Sequence, residues 1–380
     1  MLYFLWAWRD LVFKFLPASL IRALIGRADF CFLVHPRDMK DVFNHFPFLR
    51  VLPKKMVRWL LAKFLWPLIG PKITGLKFEG RPFVGRVIFS PLLAEQLVFR
   101  QKNHVSEKLL SAAKLAEKLN AKIIGLGGFT AAASRYGQDL SGKIKPLVTT
   151  GHGYTAYAVV EITRQAADIV GLDLKQATVA IVGASGSMGS ACTRLLDSGE
   201  LVKELLLVEK ANKLTSLQNI FAQTNNKVSF TSDLTELRRA DLIITLTNAV
   251  SNIIEASHLK SGAIVVDDAQ PINISRDLIN IDGEVLIMGC AIHAPGIKCD
   301  YNFGLPRDVI FTCLGETLAI CVAQEEAKEL CTVGQVNIDR AREVAKRVTE
   351  LGFYPVLIDN EGRPITYYHL SKSKKMHNQK

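Results

Sequence analysis

From residue 178 onward, short apolar runs alternate with amphipathic stretches at regular spacing. "TVAIVGASGSMGSACTRLL" reads as a strand, a glycine turn and a helix; "VKELLLVEK", "ADLIITLTNA", "GAIVVDDA" and "EVLIMGC" (284–290) supply four more strands. Runs of Val, Ile and Leu with no polar alternation are buried on both faces, and helical or turn segments between them predict a parallel sheet covered on each side.

The first 177 residues are less regular. "FCFLVHPRDMKDVFNHF" (30–46) predicts a buried strand, a turn at His35-Pro36 and a helix, followed by β-like segments near 73–90. Residues 91–119 read as helical, with apolar residues at 109, 110, 113 and 116 and capping-box spacing at Ser106. "AKIIGLGGFT" (121–130) is a strand ending in glycines, and "TTGHGYTAY" (149–157) a loop before a helix that runs to about 170. From Pro306 the chain reads as mostly helical, and its polar tail, 371–380, as disordered.

These elements predict an α/β protein: a Rossmann-like, doubly wound parallel sheet with an N-terminal α/β substrate domain and a helical C-terminal segment. The expected divisions are 1–28, an amphipathic segment; 29–150, the N-terminal α/β domain with an amphipathic insert at 50–72; 151–300, the parallel-sheet domain; and 301–380, a helical segment.

Charge sharpens the reading of the N-terminal region. The chain carries a net +11, and residues 1–81, with 14 Lys and Arg against 5 Asp and Glu, supply +9 of it. All four tryptophans, Trp6, Trp8, Trp59 and Trp66, fall in the same region. Cations mixed with aromatic and long aliphatic residues suit an anionic membrane surface rather than nucleic acid. Arg9, Asp10, Lys14 and Arg22 interrupt the first stretch too often for a simple transmembrane helix, and it lacks a secretory cleavage pattern. In residues 52–70, at about 100° per residue, Met56, Val57, Leu60, Leu61 and Phe64 share one arc, with Lys54, Lys55, Arg58 and Lys63 on the other. An interfacial helix has this pattern, and so does a helix packed on the protein's own core.

The glycines Gly183, Gly186 and Gly189 follow a strand and open a helix, as in a dinucleotide-binding turn. Their spacing is G-x-x-G-x-x-G. Ser185, Ser187 and Met188 offer further groups to a pyrophosphate at the helix N-terminus. Glu209, about 20 residues on, suits the ribose hydroxyls of NAD, whereas Lys210 and Lys213 suit the 2′-phosphate of NADP. Thr247 and Asn248, and Asp267 and Asp268, fall at strand ends where the nicotinamide half would rest.

The seven cysteines (Cys31, Cys192, Cys290, Cys299, Cys313, Cys321 and Cys331) are odd in number and lack paired short spacings, so neither a disulfide framework nor a zinc site is indicated, and a reducing cytoplasmic compartment fits. A hydride donor beside a thiol suggests reduction of an acyl thioester. Cys290 and Cys299 flank the ligand-binding end of the sheet, Cys313 lies in the apolar run "FTCLGETLAI", and the other four read as core.

Over about residues 73–357 the sequence resembles the long-chain fatty acyl-(acyl-carrier-protein) reductases of cyanobacteria, and the strand and helix at 30–46 match them more loosely. "LGGFT", "TTGHGYTAY", "LDLKQATVAIVGASGSMGSACTRLLDS" and "VKELLLV" carry the similarity. The resemblance implies that Cys313 in "LPRDVIFTCLGE" accepts the acyl group, that His293 is a family histidine able to serve as acid or base, and that the cofactor is NADP, with NAD possible. It implies acyl-carrier protein or acyl-CoA as the thioester donor. The His293–Cys313 gap is shorter than in the cyanobacterial proteins, and residues 1–29 and the amphipathic insert are largely absent from them. Those departures leave room for another carrier at a membrane surface. The alternative reading is another Rossmann dehydrogenase, of the shikimate or amino-acid type, or a non-catalytic nucleotide-binding, membrane-associated module. Tyr154 and Tyr157 are candidate oxyanion donors, and Glu316, one turn past Cys313, is expected to position its helix or bind a neighbour.

Overall fold

The computed structural model describes residues 2–199, 202–249, 251–269, 272–274, 285–301, 303–359 and 362–365. The tail expected to be disordered, 371–380, lies outside the described residues, as does Glu284 at the start of the last expected strand.

In chain order the elements are α1 (Leu2–Phe13), α2 (Ala18–Ile25), β1 (Phe30–Val34), α3 (Met39–His45), α4 (Lys54–Lys63), β2 (Leu68–Phe78), β3 (Arg81–Phe89), α5 (Ala94–Phe99), α6 (Lys102–Lys118), β4 (Ile123–Leu126), α7 (Thr130–Ala133) and β5 (Leu147–Thr149). Then come α8 (His152–Val170), β6 (Thr178–Val182), α9 (Ser187–Gly199), β7 (Glu204–Val208), α10 (Leu214–Ile220), β8 (Val228–Thr231), β9 (Leu242–Thr245), β10 (Ile264–Asp267), β11 (Val285–Met288) and β12 (Ala291–His293). The chain ends with β13 (Lys298–Cys299), β14 (Val309–Phe311), α11 (Thr312–Val322), α12 (Ala327–Leu330), α13 (Ile338–Glu350) and β15 (Tyr354–Pro355).

It forms two compact units. The first comprises residues 1–151, 294–303 and 313–334; the second comprises 152–293, 304–312 and 335–380. The stretch read above as one C-terminal helical segment is therefore shared: α11 from Cys313 onward belongs to the first unit, and β14, α13 and β15 to the second.

The first unit is built on a six-stranded sheet of order β13-β2-β3-β1-β4-β5. β3, β1, β4 and β5 run parallel, so their carboxyl ends share one edge. β2 and β13 are antiparallel additions at the other side. Phe30, Phe32, Leu33, Ile69, Ile73 and Ile88 fill its core. The N-terminal helices dock on this unit through specific bonds. Asp10 is buried, pairs with Arg9, and accepts the Ile69 amide at 2.7 Å. Arg22 donates to the Lys118 carbonyl, and Lys118 to that of Phe13.

Two local expectations are corrected. α6 begins at Lys102, so Ser106 lies inside the helix, where its hydroxyl donates to Asp139 instead of capping. Likewise α8 starts at His152, which shortens the expected 149–157 loop to little more than Thr150 and Gly151.

The second unit holds the sheet β11-β10-β9-β6-β7-β8, parallel throughout. This is the Rossmann order with β6 first, and its topological switch point lies between β6 and β9. Strand residues such as Val179, Ile181, Leu205, Leu207, Ile244 and Val266 are buried against α8 and α9. The small antiparallel sheet β14-β12-β15 completes the unit.

Candidate active site

The glycine turn joins β6 to α9 at the switch point. Gly183 has φ +87°, and a Cβ there would press on the Leu246 carbonyl at 2.8 Å; at Gly189 it would overlap the Gly183 carbonyl. The first glycine is thus demanded by the turn and the third by close helix–strand packing. Gly186 is different. Its Cβ would meet only the Gly183 carbonyl, at 3.3 Å, so the space beside it is open to a ligand backbone approach. The first turn of α9, with Ser187 buried and Met188 half-buried, presents its N–H groups at this loop.

Glu209 follows β7 and is fixed by the loop. Its carboxylate accepts the Ser185 amide at 3.1 Å, the Ser185 hydroxyl at 2.5 Å and the Lys210 amide at 2.9 Å. Burial alone would raise its pKa, but those bonds and the Lys213 charge outweigh it and hold the carboxyl below its usual range. Lys213 lies 3.4 Å from the Ser185 hydroxyl, and both Lys210 and Lys213 are exposed. Acid and cations therefore meet on the same loop, and the residues present fit an adenosine ribose with or without a 2′-phosphate.

At the neighbouring strand ends, the Thr247 hydroxyl donates to Asn273 and Asn248 is exposed. Asp267 is structural. It accepts from the Thr245 hydroxyl and from the amides of Ala269 and Asn273, each at 2.9 Å, while burial pushes its pKa up to about 6. Asp268 is raised well above the usual carboxylate range by burial and by Asp267 beside it.

The cysteines separate by environment. Cys31, Cys192, Cys290, Cys321 and Cys331 are buried. Cys299 is half-buried in β13, where burial pushes its thiol up to about 11. Cys313, also half-buried, occupies the first turn of α11, an eleven-residue helix. A helix N-terminus favours a thiolate over a thiol.

The surroundings of Cys313 are set by Gly151, two residues beyond β5. Gly151 has φ +77°, and a Cβ there would overlap the Cβ of Cys313. One turn on, Glu316 is fully buried and accepts hydrogen bonds from the Thr149 hydroxyl and the Gly151 amide, the latter at 3.1 Å. Thr149 in turn accepts the Thr332 amide at 3.0 Å. Glu316 thus holds α11 against the end of β5. Thr312, the residue before Cys313, is anchored in the second unit by the Cys290 carbonyl at 2.9 Å and by the Thr155 hydroxyl at 2.8 Å.

His293 ends β12 in the second unit. Its ring lies 4.9 Å from that of Tyr354, and its Nδ1 is buried with no hydrogen-bond partner among the described residues. Tyr154 is fully buried in α8, its ring 6.5 Å from that of Tyr157, and burial raises its pKa.

Sequence reading missed two groups at the carboxyl edge of the first unit's sheet. His35 accepts the Phe129 amide at Nε2 (3.0 Å), which puts its proton on Nδ1 for the Pro36 carbonyl (2.9 Å); burial lowers its pKa to about 4, so it stays neutral. Ser90, directly after β3, is fully buried with no side-chain partner among the described residues. The His35-Pro36 turn after an apolar run was the available signal for the first; a lone serine gave none for the second.

The amphipathic insert also resolves. Val57 and Leu61 of α4 are buried with Met39, Val42 and Leu93. The same helix leaves Trp59 50% and Phe64 60% exposed, beside exposed Lys54, Lys55, Arg58 and Lys63. The proposed lipid arc is therefore divided: its centre packs on the protein and its margin faces outward. Among the described residues no helix is long and apolar enough to cross a membrane.

Residues 178–286 match the semialdehyde dehydrogenase NAD-binding domain family. The chain is 27% identical over 305 residues to a long-chain acyl-[acyl-carrier-protein] reductase of Synechococcus elongatus, covering 77% of this chain and 88% of that one. It is 26% identical to aminotransferase PigE of a Serratia strain, over 72% of this chain and 32% of the relative. Among solved structures, L-tryptophan dehydrogenase of Nostoc punctiforme is 16% identical, covering 86% of this chain and 89% of that one at a TM-score of 0.33, too distant to bear on function. The chain is an NAD(P)-binding oxidoreductase that resembles the acyl-carrier-protein reductases.

Proposed function

We propose that the chain reduces a long-chain fatty acyl thioester to the aldehyde, with Cys313 as nucleophile and NADPH as reductant. The observation that carries this is Cys313 itself: a half-buried thiol on the first turn of α11, at the position where the similarity to the acyl-carrier-protein reductase leads one to seek an acyl acceptor.

Cys313 Sγ, as the thiolate, attacks the acyl carbon; the bond to the carrier sulfur breaks and the carrier thiolate takes up a proton. His293, the histidine that the family resemblance suggests as acid or base, is the group we assign to that proton. Bound NADPH supplies the hydride that reduces the acyl carbon. The carbon–sulfur bond to Cys313 then breaks, aldehyde leaves and the thiolate is restored, so no further reductant is needed. Lys213, near Ser185 on the nucleotide loop, is the cation for the 2′-phosphate. The thioester donor is acyl-carrier protein or acyl-CoA, and the exposed aromatic and cationic margin of α4 is where the enzyme meets an anionic membrane.

The test is turnover. With NADPH and a palmitoyl thioester, purified protein should release hexadecanal, and Cys313→Ala should abolish that while nucleotide binding survives. Normal aldehyde output from Cys313→Ala would reject the assignment, and oxidation of a small hydroxy or amino acid instead would favour a dehydrogenase.

A further inference from the structure

A cavity of about 290 Å³ lies within the first unit, walled by Val42, Phe46, Leu49, Leu60, Leu65 and Trp66 among others. It is near the lower end of small-molecule sites, which run from roughly 300 Å³ upward, and far larger than a packing void. Its walls come mainly from α3, α4 and the segment leading into β2.

The cavity and Cys313 share one edge of one sheet. Pro36 follows β1 by two residues, Ser90 and Pro91 follow β3 directly, and all three line the cavity. Gly151, against Cys313, follows β5 by two residues. β1, β4 and β5 are parallel neighbours, so the carboxyl ends of β1 and β5 are separated by two strand spacings, about 10 Å. An aromatic run lies on the cavity side: Tyr301, which lines it, meets Phe303 at 4.8 Å, and Phe303 meets Phe32 of β1 at 6.5 Å.

The lining polar groups are mostly engaged. Asp41 is held by Arg37, and His45 bonds the Asp41 carbonyl. Ser90 is the exception, a fully buried hydroxyl with no side-chain partner among the described residues. Residues 47–66 carry five cations, Arg50, Lys54, Lys55, Arg58 and Lys63, and no acid. An apolar chamber beside a cationic helix suits a ligand with a hydrocarbon body and an anionic head.

We propose that this chamber receives the hydrocarbon chain of the acyl group, which runs from Cys313 along the carboxyl edge of the sheet and beneath α4. The chain-length requirement then resides in residues 36–68. The identity of the chain as an acyl group rests on the reading above; the existence of the site does not.

The experiment therefore uses full-length Cys313→Ala protein and cis-parinaric acid, whose fluorescence is excited by transfer from Trp66 and Trp8, both lining the cavity. Binding should saturate at one probe per chain and be displaced by palmitate but not octanoate. Leu60→Trp, filling the chamber, should weaken the probe at least tenfold with NADP binding and Tm unchanged; Leu49→Phe is the second variant should the first fail to fold. Ser90→Ala should leave binding equal or tighter, because it removes an unpaired hydroxyl from an apolar wall. Unchanged binding in both filled variants, or a tenfold loss in Ser90→Ala, would overturn the proposal. In protein with Cys313 intact, Leu60→Trp should raise KM for palmitoyl but not octanoyl thioester; absence of turnover with either would instead count against the reductase reading.

Discussion

Glu316 accepts a hydrogen bond from the Gly151 amide at 3.1 Å, and Gly151 in turn leaves room for nothing larger than hydrogen against Cys313. One carboxylate thus ties the first turns of α11 to the end of β5 within the first unit. Removing it should be felt at the thiol. Glu316→Ala removes the carboxylate acceptor of the Thr149 hydroxyl and the Gly151 amide, at a cost on the order of 1–3 kcal/mol. Chemical denaturation should register that loss, and Cys313 alkylation should become faster as α11 loosens, with NADP affinity unchanged.

Gly151→Ala tests the same contact from the other side. A non-glycine residue at φ +77° costs on the order of 1–3 kcal/mol, and the overlap with Cys313 adds to it. Acylation should fall more than tenfold, read by intact mass, while nucleotide binding to the second unit persists.

Cofactor choice turns on a single loop. Lys213→Ala should raise Kd for NADPH about tenfold and leave that for NADH nearly unchanged, since only the former carries the phosphate. Glu209→Gln should weaken NADH more than NADPH. Titration of both variants with both nucleotides checks the pair.

Asp267 gives the second unit a pH signature. Its pKa in the folded state, about 6, lies above its ordinary value, so between about pH 4 and 6 the folded chain holds a proton that the unfolded chain releases. This contribution is fully present below pH 4 and lost as pH rises through 6, at up to about 3 kcal/mol. Comparison of wild type and Asp267→Asn should show that slope in the difference between their unfolding free energies.

The outward margin of α4 predicts binding to vesicles. Removal of residues 1–72 is no test, because it deletes β1 from the middle of the first unit's sheet. Trp59→Ser removes an exposed ring that is not part of the cavity wall; it should weaken sedimentation with anionic vesicles that wild type shows at low salt and loses at high salt.

Much of the second unit was legible because its strands are continuous apolar runs and its turn demands glycine at Gly183 and Gly189 for steric reasons. Glu209 was visible by spacing, but its engagement with Ser185 was not, since a carboxylate's partner depends on the tertiary path. The N-terminal segment misled in part. Arg9 and Asp10 look like charges on an interfacial surface, yet they fasten α1 to the first unit, Arg9 through the Ile69 carbonyl and Asp10 through the Ile69 amide. Composition cannot distinguish those uses. α11 was harder still: nothing local reveals that one helix begins in one unit and continues in the other, or that Glu316 finds Thr149 across 167 residues.

The central claim is that Cys313 carries the acyl group. Full-length protein incubated with palmitoyl-CoA and no nucleotide should gain the mass of one palmitoyl group, mapped by digestion to Cys313, and should lose it as hexadecanal when NADPH is added. No adduct, or an adduct in Cys313→Ala protein that NADPH discharges equally well, would contradict the account.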